Sequence, residues 1–531
     1  MSIGEVVSAI KRELPKFNNF LIKGFREQEF AKLPEFIAEG YRGCARVISP
    51  DLKLVGYRVV SPVERLAMET RMPMALNSVN ISYDEAALVA YQFQYHEVTF
   101  ENHIYIPYIL EDGSIEIRGT RYECLLGMTE KLFSVTPDNS GFTTKLIRCP
   151  ISFWRNTLHN FHDIVTERQF IGNVVCARLY QKQASKTVRP VRSTAILYLL
   201  CRYDLPQMLQ MFGLPKDAIV YDQTDKYQED FYYFRAQKMI LAKMPTLLKV
   251  NKKLMLENRL LHNIVATMLY ILGSSQLTNF EDMVTEAQMI YKIILGKILY
   301  SPNLRRAVAL SYMETHLKSV DDFLDEYTNT MMKASDIHVR NIYEFLVYVV
   351  NNIDKIIMTN APNNLFNKKL DTINNAVIDG MFAFLYKQVY TYELKNDHNY
   401  MVKEVVTKAL RTKQRQILKT LNQADNVRFN PSVQSDNWLI TVGSKVVKRL
   451  NVTNMGAGKK ASSGGIKSSV NRFHPSMLLL ESVYGLGSRP GVNSLINPFC
   501  QIDELGAFIK TPAMEKVENE LGAVLSGKII F

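Results

Sequence analysis

The chain has no cysteine pair spaced C-x-x-C. Its six cysteines, Cys44, Cys124, Cys149, Cys176, Cys201 and Cys500, stand far apart, which argues against a zinc ribbon. Such spacing reads as free, mostly buried thiols in a reducing compartment. Long apolar runs are missing too. The most apolar stretch, Ile264 to Gly273, falls well short of the roughly 18 residues of a membrane span. The first residues, Met1-Ser-Ile-Gly-Glu5, lack a signal-peptide pattern, so the expectation is a soluble intracellular protein. No repeat period emerges, which disfavours a solenoid. A nucleotide-binding P-loop is absent as well. Placing its lysine on Lys459 puts Thr453 at the first glycine and Lys460 where the Mg-binding hydroxyl belongs, and both positions fail. His159, His162 and Asp163 lie close together but amid Phe153, Trp154 and Phe161. That reads as packing rather than a metal site, which needs more ligands at fixed geometry.

What is present is an ordinary folded composition with an excess of positive charge. The 531 residues are 47% hydrophobic and 22% charged, with net charge +12 and a pI near 9.1. The length allows two to four domains, and the charge favours a polyanionic partner, most simply nucleic acid. The patterning gives an α+β, multidomain fold. Residues 1–45 read as helical, with Pro15 as a break. Segments 52–60 and 78–109 read as strands, because residues such as Gln92 to Tyr95 alternate. Asp112-Gly113 reads as a hairpin turn before the alternating Ile115 and Ile117. A helix is expected over 152–166, two amphipathic helices over 192–212 with a break near Pro206, and mostly helix over 237–300 and 304–358. A further helix over 401–421 carries Lys408, Arg411, Arg415 and Lys419 as a basic stripe. The same stripe reads as a solvated face or as a nucleic-acid contact.

The last ninety residues hold the sharpest motifs. Gly443-Ser-Lys-Val-Val-Lys-Arg449 reads as a basic helix. A glycine-, serine- and lysine-rich loop follows, from Met455 to Lys467. Then come Asn471-Arg-Phe-His-Pro-Ser476, Ser488-Arg-Pro-Gly-Val-Asn-Ser-Leu-Ile-Asn497 and Gln501 to Pro512. This order resembles the fork region of the β subunit of multisubunit DNA-dependent RNA polymerases. Pro107, Gly113, Ile115, Ile117, Gly119, Thr120 and Arg121 resemble that family's protrusion. Residues 192–212 resemble its lobe, and Asn363 to Asp371 its Leu-x-Asn-Lys/Arg-Arg motif, with Lys368 and Lys369 where arginine is usual. Since the chain ends at Phe531, it resembles the N-terminal half of a β subunit split into two polypeptides, as in giant bacteriophages.

The resemblance implies a discontinuous protrusion (1–140 and 398–442), an inserted, mostly helical lobe (141–397) and a fork segment (443–531). It implies a noncatalytic part of a DNA-directed RNA polymerase, a nucleotidyltransferase that carries out phage transcription. No Asp-x-Asp-Gly-Asp occurs here, so Mg²⁺ is expected on the β′ partner, in the two-metal manner. The implied partners are the C-terminal β polypeptide, the two β′ polypeptides, DNA template, RNA transcript and a promoter-specificity subunit, in the cytoplasm of an infected host, with virion packaging left open. Nucleic acid is expected at Lys445, Lys448, Arg449, Lys459, Lys460, Lys467 and Arg472, joined by Arg411 and Arg415. The second β polypeptide is expected at Arg489, Pro490, Asn493, Asn497 and Phe531. A basic, nucleic-acid-binding structural protein of the virion is the alternative.

Overall fold

The computed structural model describes residues 24–49, 51–71, 81–108, 114–117, 119–124, 127–136, 139–146, 150–179, 193–222, 226–235, 247–274, 286–321, 323–360 and 364–371. Beyond these it describes 427–429, 446–449, 480–482, 493–496, 501–503, 506–510, 512 and 515–516. The chain divides into an outer unit, Met1–Lys131 with Ala361–Phe531, and an inserted unit, Leu132–Asn360.

The outer unit opens with α1, Gly24–Ile48. Leu33, Ile37, Tyr41, Cys44 and Ala45 recur at helical spacing and are all buried, giving the apolar stripe that a core-facing helix needs. They face an antiparallel sheet, β1 (Leu52–Val59), β2 (Ala86–Tyr95) and β3 (Val98–Pro107), in that spatial order. These strands fall where alternation places them. The Tyr41 ring meets Tyr91 and Phe93 edge-on, each at 5.3 Å, and its Oη accepts from Asn102 Nδ2 at 2.5 Å. Between β1 and β2 lies α2, Pro62–Arg71. Its Arg65 is buried, donates to Ala86 O at 2.8 Å and lies 4.3 Å from the Tyr83 ring centroid.

The hairpin expected at Asp112-Gly113 falls elsewhere. Those two residues lie outside the described set, and the strands flanking them, β3 and β4 (Ser114–Ile117), belong to different sheets. The tight turn comes at Gly119, between β4 and β5 (Thr120–Cys124). Its φ of 68° is one that glycine adopts without a Cβ clash, and its N–H donates to Glu85 Oε1 at 2.6 Å. Next is β6, Gly127–Glu130.

The inserted unit begins with an antiparallel meander of β7 (Phe133–Val135), β8 (Gly141–Lys145), β9 (Pro150–His162) and β10 (Gln169–Arg178). The helix expected over 152–166 is therefore a strand and a turn. Ile151 and Phe153 are buried while Ser152 and Trp154 are half-buried, the period of two that a pleated strand imposes. Phe133, Phe142, Phe153 and Phe345 form one aromatic cluster with successive centroids 5.0, 5.3 and 5.8 Å apart. Helices α3 (Ala195–Arg202) and α4 (Leu205–Met211) follow. Residues Ala195 through Cys201 are all buried, so α3 is the inserted unit's central helix. The break lies at Tyr203-Asp204. Pro206 sits in the first turn of α4, where its missing N–H costs no hydrogen bond.

The next sheet is ordered β11 (Ile219–Asp222), β13 (Leu247–Asn251), β12 (Phe231–Arg235). Residues 247–251, expected as helix, are its central strand. Leu248 and Val250 are buried between neighbours on both sides, and that pairing overrides local helical pattern. Then come α5 (Lys252–Glu257), α6 (Arg259–Ser274), α7 (Ala287–Leu299), α8 (Arg306–Asp321), α9 (Glu326–Ala334) and α10 (Ile342–Thr359). Gly172 lets α6 lie on β10, since a Cβ there would stand 2.4 Å from His262 O.

The chain then re-enters the outer unit through β14, Lys368–Asp371, which pairs antiparallel with β6. β15 (Val427–Phe429) pairs with β5. β16 (Val446–Arg449), β17 (Leu480–Ser482) and β18 (Asn493–Ile496) join β14 and β6 in a five-stranded sheet ordered β14-β6-β16-β18-β17. The helix expected at 443–449 is thus a strand over its last four residues. Val446 and Val447 are β-branched and favour a pleated strand. A short hairpin, β19 (Gln501–Ile502) and β20 (Phe508–Ile509), supplies the last described strands.

Candidate nucleic-acid and subunit interface

Three of the proposed nucleic-acid and subunit contact residues lie in described strands, and all three lie in the five-stranded sheet. Lys448 stands opposite Asn493 on the antiparallel side of β16 and opposite Gly127 on its parallel side. Arg449 stands opposite Met128. A residue proposed for nucleic acid and one proposed for a subunit contact are therefore cross-strand partners. Lys445, Lys459, Lys460, Lys467, Arg472, Arg411, Arg415, Arg489, Pro490, Asn497 and Phe531 lie outside the described residues.

Around this sheet the structure gathers further charge beyond the proposed contact residues. Lys368 and Lys369, on β14, are both buried. Lys368 stands opposite Glu130 across the β14–β6 ladder, and its ammonium is ion-paired to Glu130 Oε1. The side chains are only 8% and 14% exposed, so each charge depends on the other for compensation. Glu130 Oε2 has no hydrogen-bond partner. The next residue, Lys131, is held below the usual lysine range by burial, which the Asp503 carboxylate partly offsets. Its backbone N–H donates to Asn367 O at 2.9 Å, closing the ladder where the chain leaves and re-enters the outer unit.

The β19–β20 hairpin is seated on the same strand. Lys369 forms a bridge with Ala507, and Leu370 N–H donates to Gly506 O at 2.7 Å. Gly506, at φ 78°, makes the turn, and Asp503 Oδ1 accepts from Ala507 N at 2.7 Å. The Lys510 ammonium lies 5.8 Å from the Phe366 ring centroid. The segments 365–371, 446–449, 493–496 and 501–510, each noted separately in the sequence, thus meet on one framework. Local pattern could not reveal the Lys368–Glu130 pair, because its members lie 238 residues apart.

Among the described residues no group of three or more His, Cys, Asp or Glu is placed to hold a metal. Asp163, weighed with His159 and His162, is fully buried and spent on the backbone. Its Oδ1 accepts from Tyr233 N at 2.7 Å, and its Oδ2 from Thr166 N at 2.7 Å and Thr166 Oγ1 at 2.6 Å. A second charged cluster lies on the first sheet. Arg58 grips both Glu64 oxygens at 2.7 Å and reaches Glu101 at 3.2 Å. His103 Nε2 lies 3.2 Å from Glu101 Oε2. Burial holds the His103 imidazole below its ordinary range, and Glu101 partly opposes that.

A family model described as "Non-virion RNA polymerase subunit" matches residues 3–522. No curated protein matches the chain.

Proposed function

Since the chain belongs to the non-virion RNA polymerase subunit family, we propose that it is the N-terminal half of a split β subunit of a phage polymerase. In this reading the inserted unit is the lobe, the outer unit is the protrusion, and the segment from 443 onward is the fork. The chain walls the DNA channel and contacts downstream DNA and the RNA–DNA hybrid, without supplying the catalytic metal site. Other polymerase subunits are its partners. We assign these as a C-terminal β polypeptide, two β′ polypeptides, one of them carrying Mg²⁺, and a promoter-specificity subunit. Family membership lends no support to the alternative of a virion coat component.

The observation that supports the reading is the five-stranded sheet. It joins three segments that resemble β-subunit motifs, around Lys368–Asp371, Val446–Arg449 and Asn493–Ile496, to the strand that leads into the insertion. The test is native mass spectrometry of the tagged chain recovered from infected cells. The expected result is co-recovery with three further large chains, one bearing an Asn-Ala-Asp-Phe-Asp-Gly-Asp motif. Recovery alone, or with capsid proteins, would sink the proposal.

A further inference from the structure

We infer that the tip of the α7–α8 helical hairpin is a second nucleic-acid contact, one that grips the phosphates of a DNA duplex. From Ala287 to Met313 the sequence contains no acidic residue, yet it carries Lys292, Lys297, Arg305 and Arg306. The fold turns that bias into a local feature. The two helices are held together one turn back from the tip. A Cβ at Gly296 would stand 3.2 Å from Ala309 Cβ, Ala309 O and Met313 Cγ, tighter than ordinary contact, so glycine eases this approach. Lys297 and Arg305 flank that contact on either side of the connection. Tyr300 N–H donates to Gly296 O at 2.9 Å, Leu304 N–H to Ser301 O at 3.2 Å, and the Tyr300 and Tyr312 rings pack with centroids 5.0 Å apart. The connection is therefore a defined turn.

Pro302, Asn303, Arg305 and Arg306 are exposed, and Lys297 is half-buried. Among the described residues no carboxylate is ion-paired to Lys297 or Arg305. Two paired cations elsewhere contrast with these. Lys368 is neutralised by Glu130, and Arg58 by Glu64 and Glu101. Lys297 and Arg305, with no carboxylate ion-paired to them among the described residues, suit backbone phosphates. The Tyr300 ring at this tip is already packed on Tyr312, so charge rather than base stacking is what the tip offers. Duplex DNA, with closely spaced phosphates on both strands, is the occupant that fits.

This inference rests on the proposed place of the chain in a DNA-dependent RNA polymerase, and the experiment separates the two. In the reconstituted polymerase, DNA affinity is measured across a salt series for wild type and for Lys297→Gln with Arg305→Gln. Each phosphate contact contributes about −0.9 to the slope of log affinity against log salt, so the double variant should flatten it by up to about two units. In parallel, a photo-crosslinking amino acid is placed at Asn303 in an otherwise wild-type chain, and another at Lys459. DNA captured from Asn303, with a flattened slope, supports the inference. An unchanged slope with DNA captured only from Lys459 overturns the inference and leaves the proposed function standing. Capture of a protein subunit from Asn303 also overturns it. No DNA captured from either position counts against the proposed function itself. Should the double variant fold poorly, the Asn303 crosslink decides alone.

Discussion

The inserted and outer units solve the same problem, burying apolar surface, in opposite ways. In the inserted unit the four-stranded meander is made of strands consecutive in sequence, β7 to β10, and α6 lies directly on β10. Most of its helices carry side-chain caps, from Thr194, Asp204, Asn251, Asp325 and Asn341. In the outer unit the central sheet is drawn from 127–130, 368–371, 446–449, 480–482 and 493–496. Local pairing forms early and cheaply in entropy, whereas pairing across hundreds of residues must wait for loop closure. The outer unit also places charge inside its sheet, at Lys368 and Glu130. The inserted unit leaves charge at a hairpin tip. The inserted unit's meander is organised by neighbours in sequence and the outer unit's five-stranded sheet by distant partners, so substitutions should act on each separately.

The largest expected effect breaks the outer unit alone. Lys368→Met strands the Glu130 carboxylate in a buried site, which should cost about 3–5 kcal/mol. Hydrogen exchange read separately in each unit should show the loss in β6 and β14, with β7 to β10 protected as before. Adding Glu130→Leu should recover most of the stability, because a buried ion pair replaced by apolar groups is often neutral. If the double variant is no better than the single, the pair is not the element that matters.

Gly172→Ala strikes the inserted unit instead. The added methyl meets His262 O and Ala266 Cβ, and such overpacking typically costs about 1–3 kcal/mol, or more where backbone must shift. Exchange should rise in β10 and α6 while the five-stranded sheet keeps its protection. Equal loosening of both units would erase the distinction drawn between them.

A smaller effect tests local capping. Asp204 accepts from Gln207 N at 2.7 Å, and Gln207 Oε1 accepts from Asp204 N at 3.3 Å. Asp204→Ala should cost about 1 kcal/mol, measured as a lowered urea midpoint for the inserted unit. No change in that midpoint would mean α4 is held by packing alone.

The smallest effect depends on pH. His103 has a folded pKa below its ordinary value, so the unfolded chain takes up a proton that the folded one resists. Its contribution is fully present above the ordinary histidine pKa and is lost as pH falls below it, never more steeply than about 1.4 kcal/mol per pH unit. Glu64 and Glu101 are both held low in the folded state. For Glu64 the hydrogen bond from Arg58 dominates. For Glu101 burial is the largest single influence and pushes upward, but the hydrogen bonds from Gln92 and Arg58 together with the nearby positive charge outweigh it. Their contribution disappears at still lower pH. His103→Gln should remove only the upper step, seen as a flatter melting temperature between neutral and mildly acidic pH in the first sheet. A profile that keeps that step would assign it to another group.

The same division explains what could be read from sequence. The first sheet was legible because residues such as Gln92 to Tyr95 alternate, and the helices over 304–358 because their apolar positions repeat at helical spacing. Residues 152–162 and 247–251 misled because short apolar runs do not separate strand from helix; neighbours decide. Val446–Arg449 misled for the same reason, its partners lying at 127–128 and 493–495. At the candidate interface, the cationic identity of Lys448 and Arg449 was visible, as was the motif around Lys368. The ladder that brings them together was not, because register between distant strands is set by tertiary pairing rather than by local composition.

The ladder between β6 and β14 carries a mechanical consequence. The strand that departs toward the inserted unit and the strand that returns from it are adjacent and antiparallel, joined at the last rung by the Lys131–Asn367 hydrogen bond. Adjacent strands lie about 4.8 Å apart. The whole excursion is therefore spliced in at a point no wider than a hairpin bend, and a few turn residues could span the gap. Excising the insert would cut the polypeptide without cutting the sheet. Pulling on the insert would load this single rung first, like the lowest tooth of a zip.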